Sequence, residues 1–118
     1  MNEIRWLLLA EGVYFFLTGL WPIVHLPSFI AVTGPKRDLW LVRTVGALIA
    51  VAGLAMIAAG VNGVTDAPVI ILAVGSAAAL ATVDIVYVAL GTIAKVYLLD
   101  AALEIALLSA WAAALLAG

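Results

Sequence analysis

Two carboxylic acids stand one helical turn apart in the apolar decamer KVYLLDAALE, residues 95–104. Asp100 and Glu104 have the i, i+4 spacing that puts both side chains on one face of a helix. Asp84 and Arg43 interrupt two other apolar stretches. A charged side chain near the centre of a membrane helix costs about 2.5–3.5 kcal/mol, which favours an orientation toward the interior of a helix bundle. These residues therefore indicate a candidate site for a ligand or for protons.

Tyrosines accompany the acids at helical spacing. Tyr87 lies three residues after Asp84, and Tyr97 lies three residues before Asp100. We interpret this set as one ligand- or proton-binding pocket, formed by Arg43, Asp84, Tyr87, Tyr97, Asp100 and Glu104. Three close carboxylates in a medium of low dielectric constant cannot all stay ionised beside one guanidinium. The sequence therefore predicts that at least one of them carries a proton at neutral pH.

A second polar stripe follows the first apolar stretch. Glu11, Tyr14, Thr18 and His25 are separated by 3, 4 and 7 residues, so they share a face if the helix continues past Pro22. Tyr14 is the expected local partner of Glu11, which is either a second proton-bearing group or a hydrogen-bonded neutral acid. We interpret His25, which lies close to two prolines, as an interfacial or capping residue more than as a participant in the site.

Four apolar stretches position these residues. The chain has 118 residues, of which 68% are hydrophobic and 10% charged, too few polar groups to cover a water-soluble globule. The stretches cover residues 4–21, 39–59, 69–90 and 96–116, and about 20 helical residues cross the bilayer core. They are continuously apolar, as in membrane helices, and do not alternate as barrel strands do. The sequence therefore predicts an all-α fold, a four-transmembrane-helix bundle in a single domain over residues 1–118.

Polar connections separate the stretches. Residues 25–38 contain two prolines and a glycine and predict a re-entrant or interfacial connection, with residues 29–32 on the membrane surface. Residues 60–68 form a tight turn in which Thr65 or Asp66 can cap the next helix. We call the side of the first and third connections the connection face and the other side the terminal face. Lys36, Arg37 and Lys95 lie on the connection face.

The distribution of basic residues gives an orientation. With Arg43 just inside, the connection face carries more positive charge than the terminal face, where Arg5 stands alone. The positive-inside rule then places both termini outside. Tryptophans are expected as interfacial anchors, with Trp6 and Trp111 toward the terminal face and two others, Trp21 and Trp40, toward the connection face.

Small residues indicate how the helices pack. Gly46, Ala50 and Gly53 recur at i, i+4 and i+7, and the third stretch contains AVGSAAALA, residues 73–81. Such ridges allow helices to approach closely in lipid, where apolar burial gives no driving force between them. We expect them to serve packing, between helices of the bundle or with a second copy or partner subunit.

The sequence lacks the residues that several kinds of site require. The chain has no cysteine and one histidine, which removes disulfides, thiolate chemistry and the paired Glu-x-x-His motifs of diiron bundles. Phosphate-binding loops, dinucleotide fingerprints and nucleophile elbows do not occur, and the net charge of −2 does not suit nucleic acid. The sequence predicts no metal, no cofactor and no catalytic set. Acid–base chemistry on a lipid or quinone stays open as a third alternative, and it lacks a nucleophile arrangement.

The first half of the chain resembles a known family. EGVYFFLTGLWPIVHLPSFIAVTG, residues 11–34, followed by LWLVRTVGALIAVAGL, residues 39–54, is similar to the small four-span DoxX-like bacterial membrane proteins. In these an aromatic, glycine-containing first span leads into a Pro-Phe connection and a glycine-rich second span. The resemblance implies a multi-pass protein of the bacterial inner membrane, with some relatives linked to quinone-dependent respiratory or oxidative-stress complexes. It implies no catalytic residues.

Two functions follow as alternatives. In the first, the intramembrane polar pocket binds or translocates a small hydrophobic or cationic molecule, or protons. In the second, the protein is a non-catalytic accessory or scaffold subunit of a membrane complex, and the polar residues only fix how its helices pack. Substitution of Asp84 or Glu104 by the amide separates them, because it abolishes binding in the first case and lowers stability in the second.

Overall fold

The computed structural model describes residues 2–117, which form five α-helices joined by short connections. In chain order they are α1 (Asn2–Val24), α2 (Leu26–Thr33), α3 (Leu39–Asn62), α4 (Ala67–Ala89) and α5 (Tyr97–Ala117). Four of them, all except α2, are long and apolar enough to cross a membrane. The longest dimension of 43 Å matches a bilayer with its headgroup regions. The predicted all-α four-helix membrane bundle is confirmed, and the helix ends lie within a few residues of the predicted ones.

The first connection contains a helix that the sequence did not predict. Pro27 lies in the first turn of α2, where its missing N–H has no partner to lose. His25 caps this helix, because its ring Nδ1 accepts a hydrogen bond of 3.2 Å from the Ser28 N–H. Gly34, with a φ of 96°, ends it. The prolines and the glycine thus delimit a short helix here, and the placement of residues 29–32 on the membrane surface stays a prediction.

Glycines bring α1 and α3 into close contact, and this is the most extensive helix pair of the bundle. A methyl group on Gly19 would lie 2.5 Å from the Gly46 carbonyl oxygen, and one on Gly53 would lie 2.6 Å from the Gly12 carbonyl oxygen. Neither position has room for a side chain. The predicted small-residue ridge on α3 is therefore confirmed, and its partner ridge is on α1.

The second half of the bundle consists of α4 packed on α5. The α3–α4 turn ends α3 at Gly63 with a left-handed φ of 69°, and Asp66 is the N-cap of α4 without a side-chain hydrogen bond. Ala73, Ala77 and Ala81 form the buried face of α4. The contact between α1 and α5 is much smaller than the α1–α3 and α4–α5 contacts. The bundle is therefore two tightly packed pairs with a looser seam between α1 and α5.

An apolar core closes the terminal half of the bundle. Its buried members include Ile4 and Leu8 of α1 and Met56 of α3. Large aliphatic side chains on all four long helices are exposed on the outer surface, among them Leu48, Val51, Ile71 and Leu99. An apolar exterior of this extent suits contact with lipid chains. The fold is that of a multi-pass membrane protein.

Candidate functional site

Four acidic side chains from three helices meet inside the bundle. Glu11 of α1 and Glu104 of α5 have no exposed surface, and Asp84 of α4 is 5% exposed. Asp100 of α5 is half-buried. We call these four residues the acid cluster. Burying this many carboxyl groups in a chain of 118 residues is costly unless each is neutralised or hydrogen-bonded.

Glu11 is held by a tryptophan across the bundle. The indole Nε1–H of Trp111 donates a buried hydrogen bond of 2.9 Å to Glu11 Oε1, while Oε2 has no partner. Trp111 is 1% exposed, so its predicted role as an interfacial anchor is wrong. The indole instead packs in the core and gives its one donor to the acid. Trp6 and Trp40, in contrast, are 70% and 69% exposed.

Tyr14 bonds an acid of another helix, so the prediction that it pairs with Glu11 is wrong. Its hydroxyl donates a hydrogen bond to Asp100 Oδ1 on α5. The Thr18 hydroxyl donates to the Tyr14 carbonyl oxygen at 2.7 Å, within α1. Thr18 therefore satisfies only its own helix, whereas Tyr14 connects α1 to α5 at the edge of the acid cluster.

The remaining acids share the interior of the bundle. Asp84 and Asp100 interact across the α4–α5 interface. Glu104 is within electrostatic range of Asp100, Glu11 and Asp84. Asp84 Oδ2 and both carboxyl oxygens of Glu104 are buried without a hydrogen-bond partner. The cluster thus contains acceptors in excess of donors, an arrangement suited to receiving protons or a cation.

The expected basic member of the site is elsewhere. Arg43 is exposed on α3, so the prediction that it faces the bundle interior is wrong. It lies about one turn inside the connection face, from which a long side chain can reach the interface and keep its charge hydrated. Within residues 2–117, the hydrogen bonds of the acid cluster come only from Tyr14 and Trp111, and none comes from a lysine or arginine.

Three other predicted site residues lie outside the acid cluster. Tyr87 is 43% exposed on the outer side of α4. Tyr97, at the first position of α5, lies under the Lys36 ammonium, with 5.2 Å from Nζ to the ring centroid. His25 is exposed and caps α2, the role that the sequence favoured for it. The structure therefore brings together Asp84, Asp100, Glu104, Glu11 and Tyr14 and separates them from the other candidates.

Depth orders the acids along the membrane normal. Measured from the helix ends nearest the connection face at about 1.5 Å per residue, Asp100 lies about 5 Å deep, Asp84 about 8 Å and Glu104 about 11 Å. Glu11 lies about 14 Å from the opposite end of α1 on the same scale. The cluster therefore extends from the connection side to beyond the midplane. In the part of the chain that the structure describes, no three acids or histidines converge as metal ligands.

Sequence reasoning left two residues out of the site. Trp111 follows Glu104 by seven residues, which puts it on the same inward stripe of α5, but its interpretation as an interfacial anchor excluded it from the site. Lys36 binds the Thr33 and Gly34 carbonyl oxygens at 3.1 and 3.0 Å and contacts Tyr97, which nothing in its flanking sequence indicates. Comparisons of the chain with protein-family models, with curated proteins and with solved structures found no match.

Proposed function

We propose that this protein binds a small molecule with an apolar part and a positive charge, and that its acid cluster releases a proton to water as the cation binds. The observation that carries the proposal is the group of buried, unpartnered carboxyl oxygens on Asp84 and Glu104, which no lysine or arginine of residues 2–117 bonds. A cluster built only for stability is better served by an ion pair or by apolar residues. An acid cluster without a base is complete only when protons or an external cation occupy it.

Charge balance in the cluster couples the binding of a cation to the loss of a proton. Four ionised carboxylates in a low-dielectric interior repel one another strongly, so protons occupy the empty cluster. Asp84 and Asp100 face each other across the α4–α5 interface, where two ionised carboxylates would offer acceptors without a donor between them. A molecule with a fixed positive charge replaces a proton and leaves the net charge of the cluster unchanged.

Binding is favoured over translocation by the apolar core. Ile4, Leu8 and Met56 fill the bundle between the acid cluster and the terminal face. A proton or cation that reaches Glu11 therefore meets packed hydrocarbon, which offers no group to carry it further. The acid cluster is therefore closed toward the terminal face, which suits a binding site and not a translocation path.

The cellular setting is part of the same proposal. The resemblance of residues 11–34 and 39–54 to DoxX-like proteins supports the inner membrane of a bacterium. The excess of basic residues at the connection face supports an orientation with both termini outside. A molecule with an apolar tail and a positively charged group dissolves in the bilayer, so a protein in this membrane meets such molecules near the depth of its acids.

Calorimetry tests the proposal. Dodecyltrimethylammonium is titrated into the protein in lipid nanodiscs in two buffers of different ionisation enthalpy, with empty nanodiscs as the reference for partitioning. We expect saturable binding with release of protons, and at least tenfold weaker binding to Glu104→Gln. Thr82→Val is the control, because Thr82 is exposed on α4 and bonds only its own helix, at the Ala78 carbonyl oxygen.

Two results would overturn the proposal. One is heat that matches the empty nanodiscs at every concentration. The other is equal binding by the wild type and by Glu104→Gln. If Glu104→Gln instead mainly lowers the melting temperature and a second protein copurifies with the wild type, the accessory-subunit alternative replaces the binding function.

A further inference from the structure

A groove follows the outer side of the α1–α5 seam. Two adjoining depressions of about 290 and 560 Å³ share Ala10 and Ala110 and are lined mainly by alanine and leucine. The larger one extends toward Glu3 at the terminal end of α1, and the smaller one ends at Tyr14. Tyr14 therefore belongs both to the groove wall and, through its hydroxyl, to the acid cluster.

The two faces of the bundle offer approaches to the acids that are unsuited to a cation. At the connection face the Lys36 ammonium lies over the rings of Tyr97 and Phe29, one helical turn beyond Asp100. A fixed positive charge there repels an arriving cation. At the terminal face the apolar core separates the acids from water. The α1–α5 seam opens to lipid, and Tyr14 on its wall reaches the acid cluster through its hydroxyl.

We infer that the bound molecule is a linear amphiphile that reaches the acids from the lipid through the α1–α5 groove, with its cationic head beside Asp100 and its chain along the groove. This inference rests on the proposed function. Tyr14 is the positioning residue, because it is the side chain between the groove and Asp100. The unpartnered, fully buried carboxyl group of Glu104 lies in the same cluster and complements the positive charge.

The shape of the groove selects the chain. From Glu3 to Tyr14 it follows α1 for about 16 Å, at about 1.5 Å per residue. The two depressions adjoin along the seam and are lined mainly by alanine and leucine, which suits an extended alkyl chain. An alkyl chain that enters the groove loses contacts with lipid and gains similar contacts with the protein, so the groove alone adds little affinity. The selectivity for the ligand therefore comes from the interaction of its cationic head with the acids.

Two probes with the same head group test the route. Dodecyltrimethylammonium enters the bilayer, whereas tetramethylammonium stays in water. Proton release is measured as each is added to the protein in weakly buffered nanodiscs, with empty nanodiscs subtracted. We expect release with the dodecyl compound and none with tetramethylammonium at the same concentration, because only the former reaches the seam from lipid.

A matched pair of variants tests the groove itself. Ala110→Leu fills the part that both depressions share, and Ala112→Leu adds the same side chain at an exposed position of α5 outside the groove. We expect at least tenfold weaker binding of the dodecyl compound to Ala110→Leu and unchanged binding to Ala112→Leu. The melting temperatures of both variants show that the bundle is intact.

The outcomes separate the two proposals. If both probes release protons equally and Ala110→Leu binds like the wild type, the acid site exists but the lateral route is wrong. If neither probe binds the wild type, the proposed function fails and this inference fails with it. Dodecyl binding that depends on Ala110 and excludes tetramethylammonium supports both.

Discussion

Glu104 is buried on α5 with neither carboxyl oxygen hydrogen-bonded, and this constrains its charge. As an ion without a partner it would cost several kcal/mol, whereas as a neutral acid it costs no more than a buried amide. We therefore expect Glu104→Gln to keep the free energy of unfolding within about 1 kcal/mol of the wild type. Thermal or denaturant unfolding in a mild detergent measures it. A loss of about 3–5 kcal/mol would show instead that Glu104 is the charged half of a buried pair.

Tyr14 and Asp100 form the hydrogen bond between α1 and α5 at the edge of the site. A double-mutant cycle with Tyr14→Phe and Asp100→Ala isolates its energy, and buried polar pairs between membrane helices average about 0.6 kcal/mol with a maximum near 1.7. We expect a coupling energy in this range. The cycle Tyr14→Phe with Thr82→Val is the control and should be additive, because Thr82 bonds only its own helix. Additivity in the first cycle would contradict the contact.

The site could be predicted from sequence only in part. Helical spacing placed Asp100 and Glu104 on the inward face of α5, because that relation is local. It could not choose between Tyr14 and Trp111 as the partner of Glu11, since the correct partner is 100 residues away. It also could not find that Arg43 is exposed, because a long side chain near a helix end can satisfy its charge at the interface without facing the bundle.

At the scale of helices, the glycine contact between α1 and α3 is the firmest packing feature. Gly53→Ala would place a methyl group 2.6 Å from the Gly12 carbonyl oxygen, whereas at Gly75 on α4 an added methyl group meets nothing within 4 Å. We expect Gly53→Ala to lower the free energy of unfolding by about 1–3 kcal/mol. Gly75→Ala should leave it unchanged or raise it by up to about 1 kcal/mol, because alanine is the better helix former. Equal effects in unfolding experiments would contradict the close approach of α1 and α3.

The four long helices were predictable because hydrophobic length is a property of consecutive residues. The helix α2 was not predictable in this way. Pro27 usually indicates a helix break, but here it lies in the first turn, where a proline is tolerated. The small ridge of Gly46, Ala50 and Gly53 indicated tight packing, but only the fold shows that its partner is α1. Membrane spans can therefore be predicted from runs of apolar residues, whereas the pairing of helices cannot.

At the scale of the whole molecule, both termini lie on one side of an even number of spans. The chain contains no cysteine, so single cysteines report topology without background. We expect Val64→Cys, in the turn between α3 and α4, to react with a membrane-impermeant maleimide added to intact cells. Thr92→Cys, between α4 and α5, should react only after the membrane is opened. The reverse pattern would place the termini in the cytoplasm.

The central claim is that the acid cluster holds protons in the absence of a cation and exchanges them when one binds. Infrared difference spectroscopy of the protein in nanodiscs, with and without dodecyltrimethylammonium, observes the carboxyl groups directly. We expect binding to remove intensity from the C=O stretch of protonated carboxylic acids and to add carboxylate intensity, and we expect Glu104→Gln to reduce both changes. A difference spectrum without a carboxylic acid band, in a protein shown by calorimetry to be saturated, would contradict it.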